Sequence, residues 1–192
     1  MSTAAHTARP EPPVLAAPTR WTVVPQASRA GFHVRDKLVT TVHGTMPVED
    51  GGVVISETGE VTGGWISVSV AGVATGNAHR DRDLRKPRFL DAQRYPLVRI
   101  TVDTATRTSD GCTARATLLA QGIRVPVDLV AVVVEGSASS SEVRVRVTGT
   151  LDRRPLSIKA PTFIIGRYVH LAADLTFRRA VDAGPVDPAM NA

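Results

Sequence analysis

The sequence predicts an all-β protein with one short helical segment. Two observations predict this class. Apolar and polar residues alternate with period two in several separate stretches, and turn-forming clusters of Gly, Asp and Ser divide those stretches from one another. A single charged stretch, residues 77–96, departs from the alternation and suits a helix. With 192 residues, 43% of them hydrophobic and 21% charged, the chain has the size and composition of one globular domain.

The period-two alternation marks strands that bury one face. In the first of them Ala30, Phe32 and Val34 share a face, and their neighbours take the other. Equivalent apolar faces in later stretches consist of Ile66, Val68, Val70; Val98, Ile100, Val102; Val143, Val145, Val147; and Val169, Leu171, Ala173, Leu175, Phe177. One-sided strands are typical of antiparallel sheets, and their number approaches eight. The pattern alone leaves a sandwich and a barrel equally open.

The charged stretch predicts a short helical segment around residues 78–92. Asn77 is a suitable N-cap, Asp81 and Arg85 stand at the helical i,i+4 spacing, and Pro87 would end the helix. A helix this short is unstable in isolation, so packing must hold it against one end of the sheet as a lid or plug. The apolar residues available for that packing are Leu84, Phe89 and Leu90.

The two ends of the chain differ from its middle. Residues 1–20 and 181–192 are rich in Ala and Pro, which predicts a disordered N-terminal extension and a flexible C-terminal tail around a folded domain at 21–180. The extension lacks the continuous apolar run of a signal peptide, so we expect a cytoplasmic location. Because Cys112 is the only cysteine, an intramolecular disulfide and a cysteine-rich metal site are excluded.

The order of motifs along the chain resembles that of a known domain family. The segment at 77–96 contains an Arg-Asp pair, Phe-Leu-Asp and Tyr-Pro, and further motifs stand at 21–28, 31–34, 42–44, 67–76 and 118–127. Together they resemble the YceI-like domain, a polyisoprenoid-binding barrel, over nearly all of residues 21–180. The resemblance implies an eight-stranded antiparallel lipocalin-like β-barrel with a short helical segment around residues 78–92.

One segment departs from the family pattern. Residues 153–158 stand where the family has Arg-x-x-Phe-Gly-Ile, and Arg153 is retained, but Leu156 and Ser157 replace the aromatic residue and the glycine. The smaller Leu156 would change the wall at that point. Pocket shape and preferred ligand length therefore do not carry over from the family.

The resemblance implies non-catalytic binding, sequestration or transport of an amphiphilic isoprenoid lipid, either a polyisoprenoid or an isoprenoid quinone, inside the barrel. Aromatic residues make up only 4% of the chain, so a barrel with small aliphatic walls would be underfilled. An isoprenoid tail would gain about 0.8 kcal/mol for each buried methylene group.

The predicted barrel-lining residues are Phe32, Val34, Ile66, Val68, Val70, Phe89, Ile100, Val102, Val145, Val147, Leu171, Leu175 and Phe177. The predicted head-group or mouth residues are Arg80, Arg85, Arg88 and Arg153.

Plainer interpretations of the same residues stay open. The aliphatic side chains would equally close into a dry core, and the Arg and Asp residues at 80–83 would form a solvated, ion-paired helix face. Histidines give little support for catalysis or metal binding, because His33 and His170 fall on polar faces and neither His43 nor His79 belongs to a metal-ligand spacing. We therefore expect no enzymatic activity, no cofactor and no metal.

Two other functions remain as alternatives. An enzyme of isomerase or hydrolase type, acting on a small lipid-like substrate, requires an ionisable residue that faces the cavity, and the alternation supplies none. Binding of single-stranded nucleic acid through a basic face is suggested by the net charge of +5 and the pI near 10.1, but it normally needs aromatic stacking platforms. The predicted partners are thus an isoprenoid lipid or quinone and a transiently contacted anionic membrane surface, without nucleic acid. Whether the barrel forms a homodimer is left open.

Overall fold

The structure is a computed structural model that describes residues 18–36, 41–156, 158 and 165–180. Within these residues, ten strands form one antiparallel sheet, accompanied by one α-helix and a 3₁₀ turn at Pro25–Ala27. The strands are β1 (Thr19–Val23), β2 (Arg29–Asp36), β3 (Thr41–Met46), β4 (Val48–Ile55), β5 (Val61–Ser69), β6 (Leu97–Arg107), β7 (Gly111–Ala120), β8 (Ile123–Glu135), β9 (Glu142–Asp152) and β10 (Ile165–Arg179). The helix, α1, spans Ala78–Leu84.

The sheet closes on itself through β10. The strands follow the order β1-β4-β5-β6-β7-β8-β9-β10, and β1 returns to pair with the C-terminal part of β10. β2 pairs with the remainder of that same edge of β10, and β3 pairs with β2. Within the described residues, β1 and β2 together therefore occupy one position in the ring, and β3 and β4 together occupy another. The predicted eight-stranded antiparallel barrel with one short helix is confirmed.

Proline residues interrupt these two composite strands. Pro25 opens the 3₁₀ turn between β1 and β2, and the Ser28 hydroxyl beyond it accepts a hydrogen bond from the Thr176 amide at 3.0 Å. Pro47 separates β3 from β4, because it has no amide to donate to the ladder. Its carbonyl still accepts from the Ser69 amide at 2.8 Å. The interruptions let both strands bend while their backbone groups remain bonded.

The two ends of the barrel are built differently. The hairpin end carries the loops at 56–60, 108–110 and 136–141, and the lid end carries the β5–β6 linker at 70–96 and the tight turn Gln121–Gly122. A buried cluster that includes Leu118, Val125 and Leu151 packs toward the lid end. A second cluster, which includes Trp21 and Phe177, packs toward the hairpin end.

Helix α1 begins as the sequence predicts. The Asn77 side chain caps it by accepting hydrogen bonds from the amides of His79 and Arg80 at 3.1 and 3.0 Å. The helix ends at Leu84, and residues 85–95 continue as a series of turns rather than as helix. The helical segment is thus shorter than the predicted range of 78–92.

Asp81 and Arg85, which stand at the helical i,i+4 spacing, do not form an ion pair with each other in the structure. Asp81 instead accepts a hydrogen bond from the Thr75 amide at 2.8 Å, and Arg85 donates to the Val73 carbonyl at 3.1 Å. Both side chains therefore tie the helix to the preceding linker. Without these contacts the Thr75 amide and the Val73 carbonyl would lack these partners. Hydrogen bonds to them are therefore favoured over a weak ion pair on the helix surface.

Strand structure starts at Thr19, just before the domain boundary that the sequence suggests at residue 21. The predicted disorder at the two ends otherwise falls on residues 1–17 and 181–192, which lie outside the described residues. Across the described ranges, no helix has the length and apolar character needed to cross a membrane.

The first prediction concerns the close approach of β7 and β8. A Cβ atom on Gly111 would overlap the carbonyl oxygen of Ala131, whereas a Cβ atom on Gly63 would meet no atom within 4 Å. We expect Gly111→Ala to lower the free energy of unfolding by about 1–3 kcal/mol, because the backbone of the pair must shift. The matched control Gly63→Ala should stay within about 0.5 kcal/mol of wild type in urea denaturation. Equal stability of the two variants would contradict the register described here.

Candidate functional site

The barrel encloses a cavity of about 920 Å³ that reaches both of its ends. At the hairpin end the cavity is bordered by Thr108, Ser109 and Asp110 and by the loop at 136–138. At the lid end it is bordered by residues of the linker, including Leu84, Phe89 and Leu90. The volume lies in the range of protein sites that hold a drug-sized ligand.

Most of the residues predicted to line the barrel border this cavity. These are Phe32, Val34, Ile66, Val68, Phe89, Ile100, Val102, Val145, Val147, Leu171, Leu175 and Phe177. Val70 does not border it, in contrast to the prediction. Strand β5 ends at Ser69, so Val70 lies in the following turn, where it is 1% exposed and its amide donates to the Pro96 carbonyl at 2.9 Å. The strand, and with it the alternation of inward and outward side chains, ends one residue earlier than the sequence pattern predicts.

A row of small side chains explains why the cavity is wide. Ala30 of β2, Ala173 of β10, Val147 of β9, Ala131 of β8 and Cys112 of β7 are paired in direct register, and all of them border the cavity. An eight-stranded barrel is normally just wide enough for side chains to fill it. Small residues paired in register on five neighbouring strands therefore leave space that larger residues would occupy.

The sequence analysis missed the contribution of β7 and β8 to the wall. Alternate residues of these strands border the cavity, namely Ala114, Leu118, Ala120, Leu129, Ala131 and Val133. The signal was present, because Val125, Val127 and Leu129 alternate with Pro126 and Asp128. The alternation in β7 and β8 did not enter the predicted lining, because residues 118–127 were interpreted only through their resemblance to a hairpin of the family.

Arg153 lies at the lid end, immediately after β9. Its side chain borders the cavity, the residue is 4% exposed, and its Nε donates to the Gly166 carbonyl at 2.8 Å. Loss of hydration on burial lowers the pKa of the guanidinium, and the nearby Asp152 carboxylate partly offsets this effect. Asp152 itself binds Arg154 and Arg167, with nitrogen to oxygen distances of 2.7 and 2.9 Å. Arg153 thus presents a cation with reduced hydration to the cavity.

Arg80 also borders the cavity and is held in place by the linker. Its Nε donates to the Thr75 hydroxyl at 2.7 Å, and its Nη2 donates to the Thr75 carbonyl at 2.8 Å. Arg85 and Arg88, which the sequence analysis placed at the mouth, do not border the cavity. Arg85 reaches back to the Val73 carbonyl, and the Arg88 guanidinium lies 4.9 Å from the centre of the Phe89 ring. Both follow the end of α1 and lie among the turns of residues 85–95.

Apart from the Cys112 thiol, the ionisable groups that border the cavity in the described residues lie at its ends, with Arg80 and Arg153 at the lid end and Arg107 and Asp110 at the hairpin end. In the described part of the chain, the acidic residue that borders the cavity is Asp110, in the exposed turn of the β6–β7 hairpin. Its carboxylate accepts hydrogen bonds from the hydroxyls of Thr108 and Ser109, both at 3.3 Å. The thiol of Cys112 also borders the cavity, and burial raises its pKa, which keeps it protonated. The sequence analysis did not identify Asp110 or Cys112 as lining residues.

The outer wall of the barrel carries charged residues in pairs. Arg144 binds Glu135, Arg146 binds Asp174 and Arg178 binds Glu142, with distances of 3.1, 2.9 and 3.1 Å. Ion pairs of this kind lower the local positive potential that the pI suggests. They therefore give the wall a mixed rather than a uniformly basic surface.

Comparison with known proteins agrees with this architecture. The model of the YceI-like domain family matches residues 21–177. The chain belongs to the YceI-like family. A search of curated proteins finds no match.

Several solved structures share this fold. BcnA from Burkholderia cenocepacia has a TM-score of 0.66 at 13% identity, with 80% of this chain and 98% of BcnA covered. The YCEI protein of Campylobacter jejuni has a TM-score of 0.63 at 18% identity, with coverage of 75% and 88%. A polyisoprenoid binding domain from Saccharophagus degradans, implicated in plant cell wall breakdown, has a TM-score of 0.57 at 16% identity, with coverage of 83% and 98%. At these identities the likeness concerns the fold.

The second prediction tests the row of small side chains. Ala131 borders the cavity, and its neighbour Val130 on the same strand points outward and is 47% exposed. We expect Ala131→Phe to reduce binding of a fluorescent apolar probe by about tenfold or more, because the ring would enter the cavity and occupy space that the probe needs. Val130→Phe adds an aromatic ring to the outer surface and should leave probe binding unchanged. Equal affinity of both variants would show that the probe binds elsewhere.

Proposed function

We propose that this protein binds an amphiphilic isoprenoid lipid in the barrel and sequesters or carries it without chemical conversion. One observation carries the proposal: a cavity of about 920 Å³ has predominantly apolar walls along its middle and arginine side chains at its lid end. Burial of an apolar chain in such a space yields about 0.8 kcal/mol per methylene group. Membership of the YceI-like family and the structural likeness to a polyisoprenoid binding domain support the same class of ligand.

The polar end of the ligand is assigned to the lid end. Arg153 and Arg80 both border the cavity there, and a guanidinium forms strong charge-assisted hydrogen bonds with phosphate oxygens. A quinone carbonyl would accept the same hydrogen bonds without a charge. A polyprenyl phosphate and an isoprenoid quinone are thus the two ligand types that this arrangement suits. The smaller Leu156, which is 8% exposed and borders the cavity nearby, leaves more room beside the head group than an aromatic residue would.

The distribution of polar groups favours binding over catalysis. Acid-base chemistry needs a titratable group within hydrogen-bond reach of the reacting atoms, and nucleophilic chemistry needs a base beside the nucleophile. Among the described residues Asp110 and Arg153 stand at opposite ends of the cavity, and the wall between them is predominantly apolar. We therefore assign no reaction to this site.

Exposed cations at the lid end support a transient contact with an anionic membrane surface. Arg82, Arg85, Arg88 and Arg94 are all exposed and lie in the linker that borders the opening. Each basic residue near such a surface contributes about 1 kcal/mol to association. This placement would bring the opening next to the source of the lipid. A cytoplasmic location stays a prediction of the sequence, and whether the barrel forms a homodimer stays open.

The proposal is tested by native mass spectrometry, with organic extraction, of the protein purified from its own host. We expect a co-purified isoprenoid, whose mass identifies the head group and the chain length. A protein that is reproducibly empty, and that takes up neither added quinone nor added polyprenol, would refute the proposed function.

The third prediction concerns the head group. We expect Arg153→Gln to weaken binding of a polyprenyl phosphate by about tenfold or more, because a charge-assisted hydrogen bond is lost. Binding of the uncharged polyprenol of the same length should change far less. Arg154→Gln is the matched control, because Arg154 is exposed and binds Asp152 on the outer surface. Equal losses for the phosphate and the alcohol would indicate a structural role for Arg153, and Arg153→Lys should retain part of the preference for phosphate.

A further inference from the structure

Three histidines form a ladder on the outer wall of the barrel. His43 of β3 stands opposite His33 of β2, and His33 stands opposite His170 of β10. The ring centroids of His33 and His43 are 5.5 Å apart, and those of His33 and His170 are stacked at 4.7 Å. The Nδ1 atom of His170 lies 3.2 Å from the Thr150 hydroxyl of β9. Histidine is the side chain whose charge changes nearest to neutral pH.

Few negative charges near the ladder would offset the positive charge that protonation of its histidines adds. Burial, followed by the charges of His170 and His43, lowers the pKa of His33 below its ordinary value of 6.5. Neighbouring charged residues on β2 are Arg29 and Arg35, and those on β9 and β10 are Arg146, Asp152, Arg167 and Asp174. The two carboxylates of this set already bind arginines. In the part of the chain that the structure describes, no carboxylate forms an ion pair with a histidine of the ladder.

The ladder joins one panel of the cavity wall to the rest of the barrel. The panel consists of β2 and β3, whose inner side chains Phe32, Val34, Val42 and Met46 border the cavity. β10 holds one edge of the panel through its pairing with β2. Along the opposite edge, within the described residues, β3 meets the linker through a single bridge in which Thr45 and Ala74 exchange backbone hydrogen bonds of 2.8 and 3.0 Å. The panel is therefore the part of the wall with the fewest strand partners.

We infer that the ladder of His43, His33 and His170 is a proton-sensitive latch, whose protonation loosens the β2–β3 panel and releases the ligand. The inference rests on the proposed function for its consequence, the release of a bound lipid. Its physical basis is that neighbouring imidazolium groups repel one another across both strand pairs of the panel. Neutral imidazoles stack without this repulsion and leave the panel closed.

The direction of the pH effect follows from the pKa of His33. Because the pKa is lower in the closed state than in an opened or unfolded state, the opened state binds protons more readily. The closed panel is therefore fully favoured above pH 6.5, and its stability falls as the pH drops below this value. Acidic conditions would therefore favour release.

The fourth prediction is tested by measuring the affinity of the full-length protein for N-phenylnaphthylamine, an apolar fluorescent probe, at pH 7.5 and pH 5.5. We expect wild type to lose affinity several-fold at the lower pH, because protonation of the ladder favours the opened panel. His33→Asn should bind with nearly equal affinity at both pH values, because both imidazole contacts of the ladder are gone. His79→Asn is the matched control, since His79 is exposed on α1 and lies beside Asp83, and it should retain the loss seen in wild type.

Amide hydrogen exchange at the same two pH values, corrected for intrinsic exchange rates, gives a readout that needs no ligand. We expect protection to fall in β2 and β3 at pH 5.5 in wild type and to be maintained in His33→Asn. Unchanged protection of β2 and β3 in wild type would overturn the latch, as would a loss of probe affinity that persists in His33→Asn. If the probe binds at neither pH while β2 and β3 still lose protection, the latch is upheld and the proposed cavity function fails.

Discussion

The hydrogen bonds along the second edge of β10 close the barrel, and the other features of the molecule depend on that closure. β10 is 15 residues long and pairs with β9 along one edge, while β1 and β2 share its other edge. Closure removes the free edges that would otherwise recruit further strands. It also gives every strand an inner and an outer face, so that alternate side chains must either fill the interior or leave it open.

The interior is open because the chain places small side chains in register on neighbouring strands. These residues are Ala30, Ala173, Val147, Ala131 and Cys112. Residues that line a void lose dispersion contacts on one side, so an empty cavity lowers stability. A bound apolar chain restores those contacts. The cost of the void in the free protein and the gain on binding therefore come from the same residues.

Polar groups occupy the two ends of the cavity for a related reason. A charge in the middle of an aliphatic wall would lose its hydration without a partner, which costs several kcal/mol. Arg153 avoids much of this cost through the carbonyl of Gly166, and Arg80 through the hydroxyl and carbonyl of Thr75. These contacts also tie the linker and the β9–β10 connection to the barrel. The lid end is consequently built from side chains that serve structure and ligand recognition together.

The strands of the barrel wall do not all have the same number of hydrogen-bonded partner strands. Strands β5 to β9 each have two long partners, whereas β3 has β2 on one side and a single bridge to the linker on the other within the described ranges. Local opening occurs most readily where backbone hydrogen bonds are few. The stacked imidazoles of His33 and His170 lie on the seam between this weaker part and β10.

The sequence by itself determined the properties that depend on neighbours in the chain. Period-two alternation identified Phe32, Ile100 and Leu171 as inward-facing, because the direction of a side chain in a strand is a local property. The start of α1 at Asn77 was equally predictable, since capping involves residues two and three positions away.

The tertiary structure decided what depends on distant partners: the shared edge of β1 and β2, the row of small side chains, the ladder of histidines and the position of Asp110 at the cavity. It also decided where alternation stops, which is why Val70, Arg85 and Arg88 lie away from the cavity. Register between strands is set by contacts between residues far apart in the chain, and a single sequence carries no direct record of them.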